Sequence, residues 1–232
     1  MLVPGLGLDD RAWAGVRQRL AGGVLTVPLP ALGQRARRGM DLRVEHLAGQ
    51  LVEELATGAS QGAGAVVLVG HSASCAVVVE TAARSDLVVG LVLVGPVTDP
   101  RARTWPRLLW RWLRTARHER LYEVPVLAPQ YWQAGASTMV RGMDAMRWYR
   151  TDHGLARIDL PVVIVRGSRD GIAAADWASH LTGNARGRLE MVAGAGHMVP
   201  LTHPEAVVLA VREVISAVTA RQASISARMA GT

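Results

Sequence analysis

Runs of consecutive apolar residues, separated by segments with helical spacing, constrain the fold of this chain more than any other feature. The runs in the first half are MLVP at 1–4, VLTVP at 24–28, AVVLVG at 65–70 and LVVGLVLVG at 87–95. Helical spacing occupies 10–20, 40–56 and 74–84, and the alternation returns at 160–167, 188–192 and 204–218. Strands that are apolar on both faces and alternate with helices are typical of a parallel sheet covered on both sides. The sequence therefore predicts an α/β fold with about six parallel strands flanked by helices.

The stretch 99–156 interrupts this alternation, because it contains no convincing strand. Five of the seven tryptophans and all three tyrosines fall inside it: Trp105, Trp110, Trp112, Trp132, Trp148, Tyr122, Tyr131 and Tyr149. We expect two or three helices inserted between strands of the sheet. The predicted organisation is a core built from 1–98 and 157–221, a helical insertion at 99–156 and a flexible tail at 222–232.

Composition excludes several functions. Each of the 26 basic residues is arginine, so neither a phosphate-binding loop with lysine nor a Schiff-base lysine can exist. The net charge of +7 comes without a nucleic-acid motif, and the loop with Gly5 and Gly7 has Asp10 where a dinucleotide loop needs its third glycine. Histidines and carboxylates do not cluster at ligand spacing, so we expect no metal and no other cofactor.

Residue usage also bears on origin and compartment. The lack of lysine and phenylalanine suggests a GC-rich bacterial genome. Cys75 is the only cysteine, which rules out an intrachain disulfide and fits a cytoplasmic protein. No secretion signal is visible at the start, and no apolar run approaches the ~20 residues of a membrane span.

A serine stands at the junction between a predicted strand and a predicted helix, in GHSAS at 70–74. A tight turn there would hold the Ser72 side chain up and place the Ala73 N–H at the positive end of the helix. Ser72 could also be an ordinary helix N-cap, the commonest role for serine in this position. A nucleophilic role requires a base, and a third group that orients the base.

The later sequence offers both groups. Asp170 follows a strand in VVIVRGSRD, and His197 follows the last strand in AGAGHMVP. Parallel sheets place their sites at the carboxyl ends of strands, so Ser72, Asp170 and His197 are predicted to meet as a catalytic triad. Asp99, in GPVTDP, is the alternative acid. Other nearby polar residues are interpreted as structural: His71, Asp176 and His203.

With GHSAS, RGSRD and GAGHMVPLTHPE in this order, the chain resembles the α/β-hydrolase superfamily, in the branch of cap-bearing serine hydrolases. The resemblance implies that 99–156 forms a cap after the family's sixth strand and that the chain begins at the family's third strand. It also implies an oxyanion hole formed by the N–H groups of Leu6 and Ala73. Two positions differ from the usual pattern, with Pro4 before Gly5 in place of histidine and Ser74 in place of glycine. Without the first two family strands, 24–28 becomes an exposed edge that could support a homodimer.

The cap is expected to supply the substrate pocket through Trp105, Trp112, Trp132, Trp148, Tyr149 and Met198. The arginines in RARTWPRLLWRWLRTARHER would form a solvated face, although such a helix could instead meet a membrane or an anionic ligand. The predicted activity is hydrolysis of carboxylic esters with apolar groups of moderate size. A C–C bond hydrolase, an amidase, a lyase and a non-catalytic ligand-binding protein remain alternatives, because identical triads support several reactions.

Overall fold

A five-stranded parallel sheet forms the centre of the molecule in a computed structural model that describes residues 1–20, 22–62, 64–117 and 121–230. Its spatial order is β1 (Leu2–Val3), β4 (Val66–His71), β5 (Val88–Val94), β6 (Val162–Gly167) and β7 (Arg188–Val192). Two further strands, β2 (Leu29–Pro30) and β3 (Gly33–Gln34), pair separately with each other. The predicted α/β class and parallel sheet are confirmed.

The sheet has five strands where about six were predicted, because residues 24–28 do not form a strand. This segment meets β1 through one parallel bridge, between Thr26 and Leu2. Gly22 and Gly23 have positive φ just before it, and Pro28, which ends it, has no N–H to donate. Extended pairing therefore cannot spread along the segment in either direction.

Helices cover both faces of the sheet. On one face lie α2 (Val44–Ser60), α3 (Ser74–Ala82) and α8 (Ala175–Ala185), packed on leucine and isoleucine side chains such as Leu68, Leu91 and Ile164. On the other face lie α1 (Ala14–Arg19) and α10 (Pro204–Ala230), packed on valines such as Val69, Val92 and Val163. Because strand side chains alternate between the faces, a nearly continuous apolar run supplies both cores.

The insertion between β5 and β6 is helical, as predicted, but it holds four α-helices in the described part of the chain. These are α4 (Trp105–Ala116), α5 (Val124–Ala134), α6 (Ala136–Met146) and α7 (Thr151–Leu155). The last of them, α7, packs against α3 and α8, so it extends the core layer. A short helix, α9 (Val199–Thr202), follows β7.

The segment 222–232, predicted as a flexible tail, is helical as far as Ala230. The prediction treated small residues as loose chain, but alanine has the highest helix propensity of all, and the helix is already established in the preceding residues. Among the described helices, none is both long and apolar enough to cross a membrane.

Candidate active site

The turn between β4 and α3 holds Ser72 in a strained backbone conformation. Ser72 has a φ of 57°, in the left-handed region that residues with a side chain rarely adopt, and its N–H donates to the Val94 carbonyl at 2.8 Å. A Cβ on Gly70 would lie 3.0 Å from the backbone of Cys75 and 2.9 Å from a methyl of Val78, so the helix packs directly on the strand. Tight packing and strain together fix the position of the Ser72 side chain.

Ser74 is one of the two positions that differ from the usual pattern of the family, and its contacts account for the difference. Its hydroxyl accepts the His71 N–H at 2.8 Å and lies 2.9 Å from the Val3 carbonyl, to which it can donate. The side chain is fully buried. A serine at this position therefore ties the turn to β1, which a glycine could not do.

The imidazole of His197 lies between the serine and an aspartate. His197 Nε2 is 2.9 Å from Ser72 Oγ, and His197 Nδ1 is 2.7 Å from Asp170 Oδ2. The other carboxylate oxygen of Asp170 accepts the N–H groups of Ile172 and Ala173, both at 2.9 Å. The structure thus brings the three predicted residues together into one hydrogen-bonded chain.

Asp170 is ionised in this arrangement although it is almost completely buried. Burial by itself raises the pKa of a carboxyl group, but the attraction and hydrogen bond of His197 and the Ala173 N–H outweigh it and lower the pKa of Asp170 below its usual range. An ionised Asp170 accepts the Nδ1–H of His197, which leaves Nε2 as the basic nitrogen facing Ser72.

His71 supports the loops on either side of the site. Burial, followed by the proximity of His197, lowers the pKa of His71 to about 3, so its ring is neutral. A neutral ring 3.2 Å from the His197 carbonyl must donate its Nε2–H there. A Cβ on Gly5 would lie 2.7 Å from the same ring, so the loop at Gly5 packs directly against it.

The Pro4–Gly5 loop is held without the histidine that usually precedes the glycine. The Gly7 N–H donates to the Ala31 carbonyl at 2.9 Å, and the Leu8 N–H donates to the Gly5 carbonyl at 3.1 Å. Leu6, between them, lines the same cavity as Ser72 and Ala73. Because Ala73 directly precedes α3, its N–H lies at the positive end of that helix.

Asp99, the alternative acid, is engaged elsewhere. Its buried carboxylate accepts Arg101 at 2.9 Å and Arg111 at 2.7 Å. Asp176 forms an ion pair with another nitrogen of the Arg101 guanidinium. His203 contacts the Thr202 hydroxyl at 2.9 Å. These residues have structural partners of their own, and the imidazole of the site faces Asp170.

A cavity of about 120 Å³ opens next to Ser72 and His197, beneath the inserted helices. Of the six predicted pocket residues, Trp112 is the one that lines it. The wall of the cavity is mainly apolar. Besides Trp112, it contains residues that were not among the predicted pocket residues, including Val97, Leu108, Tyr131, Met139, Met143, Met146 and Ile172. The spacing of the three methionines, four and then three residues apart, is the helical signal that could have identified this face of α6.

The other predicted pocket residues lie outside the cavity for identifiable reasons. Trp105 and Trp148 stack against Arg147, whose guanidinium carbon is 5.2 and 4.9 Å from the two ring centroids. The Tyr149 hydroxyl donates to Glu80 at 2.6 Å. Met198 packs with Leu8 and Ala12 in a small buried cluster. Trp132 is 88% exposed, whereas its neighbour Tyr131 lines the cavity.

The side chains in the described ranges include no group of three metal-ligating residues. The arrangement supplies a hydroxyl, an imidazole and a carboxylate in one hydrogen-bonded chain. A strained serine after a parallel strand, with a histidine and an acid from later loops, defines the class of α/β hydrolases.

Comparison with known proteins gives the same class. Residues 1–211 match the model of the alpha/beta hydrolase family, and the chain belongs to that family. A search of the curated proteins gives no match.

Solved structures with the same fold include a thermophilic esterase, 20% identical, with a TM-score of 0.75 over 94% of this chain and 89% of the other. The enol-lactonase from Burkholderia xenovorans LB400 is 18% identical, with a TM-score of 0.71 over 93% and 90%. E-2-(acetamidomethylene)succinate hydrolase is also 18% identical, with a TM-score of 0.70 over 93% and 90%. At these identities the likeness concerns the fold.

Proposed function

We propose that the protein is a serine hydrolase that cleaves carboxylic esters with apolar groups of moderate size. The observation that carries the proposal is the pair of contacts made by His197, at 2.9 Å to Ser72 Oγ and 2.7 Å to Asp170 Oδ2. A mostly apolar cavity next to the hydroxyl supports an apolar substrate.

The proposed reaction proceeds through an acyl-enzyme. Ser72 Oγ attacks the ester carbonyl carbon while His197 Nε2 accepts its proton, and the protonated imidazole then delivers that proton to the departing alcohol. Asp170 keeps the imidazole in the required tautomer and stabilises its charged form. Water repeats the cycle on the acyl-enzyme, which releases the acid and restores Ser72.

Two backbone donors are proposed to stabilise the negative oxygen that forms on the substrate. Ala73 contributes an N–H at the start of α3, and Leu6 contributes one from the loop after β1; both residues line the cavity. Donors of this kind are each worth about 3–4 kcal/mol in the transition state.

Labelling with a fluorophosphonate, which reacts with activated serines, tests the nucleophile. We expect labelling of the native protein and none of Ser72→Ala, whereas Ser179→Ala, which removes an exposed serine on α8, should label normally. Hydrolysis of short p-nitrophenyl esters should fall by about 10⁴–10⁶-fold in Ser72→Ala or His197→Ala. His153→Ala, which alters an exposed histidine on α7, is the matched control.

The outcomes separate the alternatives. A labelled Ser72 without ester turnover would favour an amidase, a C–C bond hydrolase or a lyase on the same triad. Absence of both labelling and turnover would contradict the proposal that the protein is an enzyme and would favour a ligand-binding protein. A homodimer through the edge at 24–28 stays a prediction, and light scattering can test it.

A further inference from the structure

Three arginines line the cavity beside Ser72. Arg103, Arg111 and Arg147 all come from the inserted segment, and Asp99 is the one carboxylate lining it among the described residues. An otherwise apolar cavity with an excess of positive charge is unusual, because desolvating a cation is costly unless an anion accompanies it.

Two of the three guanidinium groups are already paired. Arg111 donates to Asp99 Oδ2 at 2.7 Å and to the Ile172 carbonyl at 3.3 Å. Arg147 donates twice to Asp144 Oδ1, at 2.7 and 3.1 Å, and once to the Arg103 carbonyl. Their donors are directed at partners within the protein.

Arg103 differs from both, because no carboxylate of the described chain pairs with it. Its guanidinium stacks over the Trp148 ring at 5.6 Å, and Nη2 donates to the Trp148 carbonyl at a long 3.2 Å. Its Nε is buried, and no atom of the described residues accepts its proton. Burial, followed by repulsion from Arg150, lowers the pKa of Arg103, and the attraction of Asp152 and Asp99 offsets this only in part. An anion placed beside the guanidinium would favour its charged form further.

We propose that Arg103 binds a carboxylate of the substrate, so that the preferred esters or lactones carry a second, free acid group. A carboxylate can accept two parallel N–H groups from one guanidinium, and the guanidinium of Arg103 has no carboxylate partner among the described residues. Asp99 in the same wall favours a singly charged ligand over a phosphate dianion. The inference rests on the proposed function, since the bound acid must lie beside an ester that Ser72 attacks.

The test compares two esters that differ in one charge. Mono-p-nitrophenyl adipate has a free carboxylate, and p-nitrophenyl methyl adipate has the same chain with that group neutral. We expect the wild-type kcat/KM to favour the acid. In Arg103→Gln the ratio of the two kcat/KM values should fall by about 10–100-fold, mainly through KM for the acid. Arg103→Lys should give an intermediate ratio, because it keeps the charge but loses the two-pronged geometry.

Arg114→Gln is the matched control, since it removes the same charge from an exposed position on α4 and should leave both esters unchanged. Adipate should also inhibit wild-type hydrolysis of the neutral ester competitively, a measurement that needs no variant.

Each result decides one point. Equal use of both esters by the wild type, or a preference that Arg103→Gln keeps, would overturn the carboxylate site while the neutral-ester activity still supports the hydrolase. Inhibition by inorganic phosphate but not by adipate would also overturn it. If neither ester is hydrolysed and Ser72 does not label, the proposed function itself fails.

Discussion

Replacing His71 by glutamine should make the fold less sensitive to acid. His71 is fully buried, its ring centroid lies 5.0 Å from that of His197, and its pKa is lowered from 6.5 to about 3. Protonation of the His71 ring is therefore unfavourable in the folded protein, whereas in the unfolded chain the ring becomes protonated as the pH falls below 6.5. Because the unfolded state then binds more protons, stability that is fully present above 6.5 declines as the pH falls from 6.5 towards 3.

The size of the effect follows from that window. Each pH unit below 6.5 lowers the free energy of unfolding by about 1.4 kcal/mol, so the contribution of His71 amounts to about 2 kcal/mol between pH 7.5 and pH 5. Asp170 does not interfere. Its pKa is also lowered, and a carboxylate of this kind contributes stability that is present above 3.8 and is lost as the pH falls through its lower folded value.

Urea unfolding at about pH 7.5 and about pH 5, for the wild type and His71→Gln, measures the difference. The amide of glutamine can still donate to the His197 carbonyl but does not titrate, so the variant should lose about 2 kcal/mol less than the wild type over the same interval. The comparison of two differences cancels the histidines that do not contact residue 71. Equal losses in the two proteins would contradict this prediction, because His71 would then be protonated as easily in the folded state as in the unfolded state.

Further predictions concern the support of the site and the wall of the cavity. Gly95→Ala should lower kcat at least about 10-fold, because the new Cβ would lie 3.0 Å from His197 Cε1 and displace the ring. It should also lower the free energy of unfolding by about 1 kcal/mol, because φ is +56° at this position. Unchanged ester kinetics would show that the ring is not displaced. Trp112→Ala should raise KM for apolar esters, since Trp112 lines the cavity. Tyr149→Phe should leave the kinetics unchanged and lower the free energy of unfolding by about 2 kcal/mol, because buried Glu80 loses a donor at 2.6 Å; a KM effect in Tyr149→Phe would contradict this map of the pocket.

The convergence of the three site residues could be predicted because it depends on topology alone. Ser72, Asp170 and His197 each follow a strand of a parallel sheet, and the carboxyl ends of parallel strands lie at one edge. Long apolar runs such as 65–70, 87–95 and 160–167 mark these strands in the sequence. The set of polar residues that gathers at this edge can therefore be inferred before any side-chain geometry is known.

The strand predicted at 24–28 shows where this reasoning fails. Apolar residues measure burial, but a strand also needs several consecutive backbone hydrogen bonds to a neighbour. The neighbour here, β1, is two residues long and is followed by Pro4, so it offers few bonding positions. One bridge forms, and the rest of the segment is an irregular connection.

The pocket could not be predicted from composition, because a tryptophan count says nothing about the direction of a side chain. On α5, Tyr131 lines the cavity and adjacent Trp132 is turned outward, since successive helical residues point about 100° apart. The orientation of each inserted helix depends on its packing against the loops of the core. That information is spread over contacts far apart in the chain.

The choice between the two candidate acids depends on Gly95, which directly follows β5. Asp99 follows β5 and Asp170 follows β6, so both lie at the edge of the sheet where His197 lies. Gly95, at the end of β5, has no side chain where a Cβ would lie 3.1 Å from His197 Nδ1 and 3.3 Å from Asp170 Oδ2. The imidazole can therefore lie across the end of β5 and reach the acid beyond β6, while Asp99 is left to bind the arginines of the inserted segment. Because Gly95 leaves this space open, Asp170 orients the base and Asp99 binds the arginines in the wall of the pocket.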